Sequence, residues 1–287
     1  MDHGHAKRYA CRLARQLAGD FFPGPVLMPH GMLHAMEPVL AVALGPARHG
    51  SEAFAAALER TLRGRPDGPL LLALWASCAA GEIPHRDLRE MVRLLPDRLR
   101  EQPASRGELL GFLHPRVSVV ARCLLAVAQR QGAAALAPAE RLGLGIAVTS
   151  MLARLPAELA AGRIGFPAAD LERAGLELAE LRQGLRSPAV DAFLVQEAAW
   201  ARELLDEGLD LRAHVGSRLR RGVRAVVVRS RRLLDQVEDP RRDIFRRPPR
   251  LTESQRWACA IRALIGLQRR RAAVGPAPPV EGGAAPA

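Results

Sequence analysis

Residues 142–175, LGLGIAVTSMLARLPAELAAGRIGFPAADLERAG, are the most informative stretch of the chain. The part before Gly162 is mostly apolar and has the spacing of a long helix. The part from Gly162 onward contains Gly165 and Pro167 within the next five residues, so it predicts a short loop that enters another helix. A unit of this kind indicates a helical architecture.

The rest of the chain also has helical periodicity, and no segment shows the alternating pattern of a β-strand. Helices are predicted at residues 6–19, 30–44, 53–63, 69–80, 86–100, 108–129, 190–211, 215–237 and 252–271. Gly45, Pro46 and Gly50 predict a break after the second helix, because glycine and proline are the poorest helix formers. The predicted fold class is all-α, with one domain at residues 1–271 and a disordered Pro/Gly/Ala-rich tail at residues 272–287.

The composition narrows the classes of function. The 287 residues carry a formal charge of +12, nearly all of it from arginine because Lys7 is the only lysine. A basic surface favours anionic partners such as phosphates or anionic lipid. The four cysteines have no C-x-x-C spacing, which argues against a zinc site or a disulfide framework and suits a reducing compartment. The polar N-terminus and the shortness of the longest apolar run, Pro69–Ala80, predict a soluble cytoplasmic protein.

Several positions of the opening stretch coincide with a known signature. They are Gly143, Thr149, Gly162, Arg163, Ile164, Pro167, Asp170, Leu171 and Gly175. This pattern resembles the second signature of the squalene/phytoene synthase family. Two further segments resemble its hydroxysqualene synthase branch of the hopanoid pathway: the Phe-Pro and Leu-Met-Pro elements at residues 22–29 and the basic close at residues 244–251. The resemblance implies a single-domain isoprenoid synthase bundle around a central cavity, lined by residues such as Phe112, Val148 and Met151.

The resemblance also implies a chemistry that this chain has altered. Family members condense two allylic prenyl diphosphates, and aspartates on two facing helices hold the Mg²⁺ ions that neutralise the leaving pyrophosphate. The first aspartate motif is replaced by Ala47, Arg48 and Ser51, followed by Glu52. The second motif is replaced by Arg154 and Glu158. Because one carboxylate in five cannot assemble the cluster, no metal site and no catalytic residue are predicted.

Arginine at two of these positions suggests a different use of the site. Arginine repels Mg²⁺ but binds phosphate oxygens bidentately. The sequence therefore favours a cationic clamp in which Arg48, Arg154, Arg163 and Arg122 hold a diphosphate without ionising it. The alternative is that Arg48 and Arg154 are drifted, surface-like residues in a decayed site.

Two functions remain open at this point. The first is a non-catalytic homologue that keeps the cavity and binds an isoprenoid diphosphate, a lipid or a partner protein, for example an intact paralogue. It would need no cofactor. The second is an active prenyltransferase that uses Mg²⁺ in a rearranged site with Glu52, Glu158 and Asp170.

Weaker patterns concern histidine and arginine. His30 and His34 are four residues apart, a spacing that binds metal on a helix, but no third ligand accompanies them and a structural role is predicted. Residues 212–250 contain thirteen arginines, which fits either peripheral binding to an anionic inner-membrane surface or a solvated basic face. Nucleic-acid binding is not predicted, because the chain offers neither a reading helix nor stacking aromatic residues.

Overall fold

The structure is a computed structural model that describes residues 2–21, 30–45, 52–81, 83–94, 99, 101–128 and 132–265. Within these ranges all regular secondary structure is α-helix or 3₁₀-helix and no strand occurs, which confirms the all-α prediction. The α-helices are α1 (His3–Ala18), α2 (His30–Leu44), α3 (Glu52–Leu62), α4 (Pro69–Gly81), α5 (His85–Leu94), α6 (Arg106–Val127), α7 (Ala133–Ala160), α8 (Ala168–Arg173), α9 (Leu178–Arg182), α10 (Pro188–Gly208), α11 (Leu211–His214), α12 (Ser217–Glu238) and α13 (Glu253–Ile265).

The long helices lie where the apolar periodicity predicts them, with boundaries shifted by a few residues. Helix α2 ends at Leu44, at the predicted break. The short helices α9 and α11 were not predicted, because five and four residues are too few to show a period. The first-motif residues Ala47, Arg48 and Ser51, the segment 22–29 and the predicted tail at 272–287 lie outside the described residues.

Among the described residues two large hydrophobic clusters form most of the core, and α6 contributes to both. The first cluster joins α1, α2, α4 and α5 to the second half of α6. The second is built mainly on α7, α10 and α12, and α7 packs against α10 more extensively than any other pair of helices among the described residues. The helix of the opening stretch is therefore the centre of the C-terminal half of the bundle.

Local sequence signals fix the ends of the helices around this centre. Ser105 caps α6 by accepting from the N–H of Glu108, and Ser187 caps α10 by accepting from the N–H of Val190. Helix α7 ends at Ala160, and Gly162 follows two residues later with a φ of 72°, which suits glycine best. A capping box opens α13, in which Thr252 and Gln255 exchange side-chain to backbone hydrogen bonds of 3.1 and 3.3 Å.

Helices α6 and α7 are long and apolar enough to cross a bilayer by length and composition alone. Core helices of soluble proteins meet the same criterion. In this fold both helices pack against each other, and α7 also packs along α10.

Candidate functional site

The residues at the second-motif positions lie one turn apart near the end of α7. Arg154 is exposed and forms no ion pair with another described residue. Glu158 is half-buried, and its Oε2 accepts a hydrogen bond of 2.6 Å from Nε of Arg163. The only carboxylate at these two positions is thus already neutralised by an arginine of the same signature.

The loop after α7 fills the space that a larger residue would need. A Cβ added at Gly165 would lie 2.9 Å from Cε of Met151, so the methionine side chain occupies that space. Phe166 is fully buried and packs edge-on against Phe193 at 5.4 Å between ring centroids. Met151, predicted as a cavity residue, is half-buried and borders this loop.

Arg122, predicted to bind diphosphate, lies in a hydrogen-bonded network that links α5, α6 and α7. Its guanidinium donates to Asp87 at 3.0 Å, to Glu90 at 2.6 Å and to Ser118 at 2.9 Å. Ser118 in turn donates to Glu140 of α7 at 2.5 Å. Three acceptors take three of the five N–H donors of Arg122, so two donors at most are left for a ligand.

The other predicted cavity residues have different surroundings. Val148 is fully buried in the core cluster that joins α7 to α10. Phe112 is half-buried, and the guanidinium of Arg116 lies over its ring at 3.6 Å. A pocket of about 470 Å³ opens between α6 and α7, lined by Leu110, Gly111, His114, Pro115, Ala137, Glu140, Arg141 and Leu144. Its volume is in the range of small-molecule sites, but none of the three predicted cavity residues lines it.

Known proteins resemble this chain in sequence and in fold. The sequence profile of the family described as squalene/phytoene synthase matches residues 40–257. The chain belongs to the squalene/phytoene synthase family. A phytoene synthase of Thermus thermophilus is 28% identical over 217 residues, which are 69% of this chain and 72% of that protein.

Two further proteins are similar to this chain, one over a short stretch of sequence and one in fold. The bifunctional protein CrtB/UppS of Streptomyces coelicolor is 34% identical over 96 residues, 33% of this chain, but the match spans only 17% of that protein. A crystal structure of a dehydrosqualene synthase in complex with ligand superposes with a TM-score of 0.82 and 17% identity, over 92% of this chain and 97% of that chain. At this identity the superposition establishes the isoprenoid synthase fold alone.

The residues at the second motif do not fit the Mg²⁺ ions that the family implies. Mg²⁺ needs oxygen ligands, usually from carboxylates. Here one position carries the cation Arg154, and the oxygen of Glu158 at the other is engaged by Arg163. The other two acids proposed as Mg²⁺ ligands are also poorly placed. Glu52 is exposed in the first turn of α3, and Asp170 is buried between two arginines that pair with it. Within the described residues, Glu52, Glu158 and Asp170 do not come together as a group of three potential metal ligands.

The sequence did not reveal a buried charge cluster at the start of α6. Arg106 donates to Asp170 of α8 at 2.8 Å and to Glu197 of α10 at 2.9 Å, and these carboxylates are 1% and 0% exposed. Arg173 makes a second ion pair with Asp170 at 2.5 Å. The guanidinium of Arg106 also lies 4.5 Å from the ring centre of Trp200. This cluster ties three helices together.

Glu197 holds a proton more tightly than an ordinary glutamate. Burial raises the pKa of its carboxyl to about 7, against the opposing hydrogen bond from Arg106, and the negative charge of Asp170 adds to the increase. Its Oε2 is buried without a hydrogen-bond donor among the described residues. A side-chain hydrogen bond with Asp170 also raises the pKa of Glu197, because it favours the protonated carboxyl.

The arginines of residues 212–250 are only partly available at the surface. Arg229 is buried, Arg231 pairs with Asp206, and Arg242 donates to backbone carbonyls of residues 247 and 248. Helix α13, which packs on α12, exposes four large apolar side chains on one side: Trp257, Ile261, Leu264 and Ile265. This apolar side was not part of the sequence prediction.

Sequence spacing linked His34 to His30 and predicted no third ligand, whereas the structure places His34 in a group with other residues. Cys11 of α1 and Glu37 of α2 lie beside His34, with potential ligand atoms of all three residues within 4.8 Å of one another. No spacing rule reveals this group, because Cys11 lies more than twenty residues before His34 on another helix. The side chain of His30 is outside the described residues.

Proposed function

We propose that this family member is non-catalytic and binds an isoprenoid diphosphate in the squalene or hopanoid context. The observation that carries the proposal is the ion pair of Glu158 with Arg163, next to Arg154, which pairs with no carboxylate of the described ranges. A site with this charge attracts an anion and repels the Mg²⁺ ions that ionise it. The protein would need no cofactor.

The exposed pair of Glu158 and Arg163 does not prevent such binding. Both side chains are about 40% exposed, and exposed ion pairs contribute about 0–1 kcal/mol. A diphosphate carries more negative charge than one carboxylate and offers Arg163 several oxygens. It can therefore displace Glu158 and take donors from Arg154 and Arg163 together. Of the other predicted arginines, Arg122 is used by its own network, and Arg48 remains an untested candidate.

Calorimetric titration with farnesyl diphosphate tests this proposal. Binding is expected without Mg²⁺ and is expected to persist in the presence of a chelator, with no release of pyrophosphate. Arg154→Ala should weaken the binding about tenfold, because a hydrogen bond to a charged group contributes about 1.5 kcal/mol or more. The matched control is Arg182→Ala, which removes an exposed arginine of α9 and should leave the affinity unchanged.

The active prenyltransferase is the second candidate, and the same titration separates it from the first. Binding that requires Mg²⁺ and is followed by pyrophosphate release would establish an enzyme with unrecognised ligands. Equal affinities of Arg154→Ala and the unsubstituted protein would contradict the arginine site. Absence of binding would favour a scaffold role towards a partner protein such as an intact paralogue.

We also propose a location at the surface of the cytoplasmic membrane. The exposed apolar side of α13 lies beside the arginine-rich α12, and this combination is typical of helices that bind anionic bilayers. Sedimentation with vesicles containing phosphatidylglycerol is expected to retain the protein, and high salt or Trp257→Glu should release it. Equal retention on neutral vesicles would contradict the electrostatic part of the proposal.

A further inference from the structure

The group of Cys11, His34 and Glu37 joins the first two helices of the bundle. Nδ1 of His34 and Oε2 of Glu37 are 2.8 Å apart, and the thiol of Cys11 reaches the same place from α1. Burial, followed by the neighbouring Glu37 carboxylate, raises the pKa of the Cys11 thiol to about 11. Three chemically different ligand types thus converge at one point between α1 and α2.

Glu37 is the unusual member of this group. Its side chain is 1% exposed, and its Oε1 is buried without a hydrogen-bond partner among the described residues. Leaving a buried acceptor of this kind unsatisfied is destabilising, and more so when the group is charged. The nearest ionisable partner on the same helix, His34, is itself partly exposed. A divalent cation would satisfy this carboxylate.

We propose that Cys11, His34 and Glu37 form a zinc site that fastens α1 to α2. Sulfur, imidazole nitrogen and carboxylate oxygen are the ligands that Zn²⁺ prefers, and three protein ligands leave one position for water. On binding, Cys11 gives up its thiol proton to solvent, and the thiolate and carboxylate together balance the two charges of the metal. The partial exposure of His34 and Cys11 provides a route of entry.

The site is distinct from the diphosphate site proposed above. Its ligands lie on α1 and the first two turns of α2, whereas Arg154, Glu158 and Arg163 lie at the end of α7 and in the following loop. Zinc binding therefore does not depend on any diphosphate ligand. A negative result for zinc binding would therefore leave the proposal of diphosphate binding unaffected.

Titration of the chelator-treated full chain with zinc chloride tests the site. One Zn²⁺ per chain is expected, and Cys11→Ser, His34→Gln and Glu37→Gln should each weaken binding at least about tenfold. His114→Gln is the matched control, because His114 also lies beside a glutamate, Glu140 at 3.4 Å, but has no cysteine there. It should leave zinc affinity unchanged, and zinc should raise the Tm of the control but not of Cys11→Ser.

Cobalt chloride gives a second readout that reports the sulfur ligand directly. The Co²⁺-loaded protein is expected to show a thiolate-to-metal charge-transfer band that Cys11→Ser abolishes. Zinc should also protect Cys11 from alkylation, and Cys11 is the one cysteine that is not buried. The proposal is overturned if the band persists in Cys11→Ser, if binding depends instead on His3 or His5, or if the unsubstituted chain binds zinc no better than the Cys11→Ser variant.

Discussion

Replacement of Arg106 by alanine is expected to lower the free energy of unfolding by about 3 kcal/mol at pH 8. Of the cations in the described ranges, the substitution leaves Glu197 with none and Asp170 with Arg173 alone, and both carboxylates are buried. Removing one partner of a buried ion pair typically costs about 3–5 kcal/mol, because the remaining charge is left without water or a counter-ion. Loss of the contact with Trp200 adds to the cost. Denaturant unfolding followed by circular dichroism measures it.

A matched control tests whether burial, rather than the number of hydrogen bonds, sets this loss of stability. Arg89 makes a bidentate pair with Glu59 at 2.6 and 3.0 Å, so its geometry is as good as that of Arg106. Both side chains of that pair are well exposed, and Arg89→Ala should cost less than about 1 kcal/mol. Equal losses for the two substitutions would contradict this account of the cluster.

The pH dependence of the same cluster follows from Glu197. Its pKa is about 7 in the folded chain and near 4.5 when unfolded, so the folded chain binds the extra proton between these values. The contribution of this group to stability is therefore complete below pH 4.5 and is lost as the pH rises through 7. Glu197→Gln should flatten this part of the profile, and the loss in Arg106→Ala should be smaller at pH 5 than at pH 8. A steeper profile in Glu197→Gln would refute the assignment.

The fold was predictable because its signals are local. Apolar residues recur at helical spacing, glycine and proline mark the ends, and Ser105, Ser187 and Thr252 provide caps within three residues of their partners. The end of α2 at Leu44 followed from residues directly after it. Of the α-helices in the described residues, only α9 and α11 were not predicted, because each is shorter than two turns.

The charge environment of the candidate site was not predictable in the same way. The partners of Arg106 are 64 and 91 residues away, and those of Arg122 in α5 are more than thirty residues away. Helical periodicity says which face of a helix is buried, but not which carboxylate of another helix meets it. For this reason the sequence assigned Arg122 to a diphosphate without revealing the carboxylates that already bind it, and the assignment stays a prediction. The pair of Glu158 and Arg163 was within reach of sequence reasoning, because the two residues are only five positions apart.

The substitutions at the second motif form one consistent electrostatic arrangement. Restoring aspartate at position 154 alone would place one new carboxylate beside Glu158, which remains paired with Arg163. The loop would still lack room for a larger side chain at Gly165 unless Met151 moved. The changes on α7 and in its loop thus support each other, and a single reversal does not recreate the metal-binding face.

The contact between α7 and α10 depends on glycines that no charge argument reveals. The helices run antiparallel here, with Gly145 of α7 facing Leu205 of α10 and Gly208 of α10 facing Leu142 of α7. A Cβ at Gly208 would lie 2.5 Å from both N and Cα of Leu142. These are backbone atoms, so a rotamer change of a neighbouring side chain cannot relieve the clash, and the two helices must move apart.

Gly208→Ala is therefore expected to lower the free energy of unfolding by about 3 kcal/mol, at the upper end of the cost of overpacking a core. Gly111→Ala is the matched control, because Gly111 also lies within a helix but a Cβ there has no atom within 4 Å. Alanine is the better helix former, so the control should gain about 0.5–1 kcal/mol. Denaturant unfolding of both variants should give shifts of opposite sign. A Gly208→Ala variant as stable as the unsubstituted chain would mean that α7 and α10 are farther apart than described, and the core that positions Arg154 and Glu158 would then need a different packing.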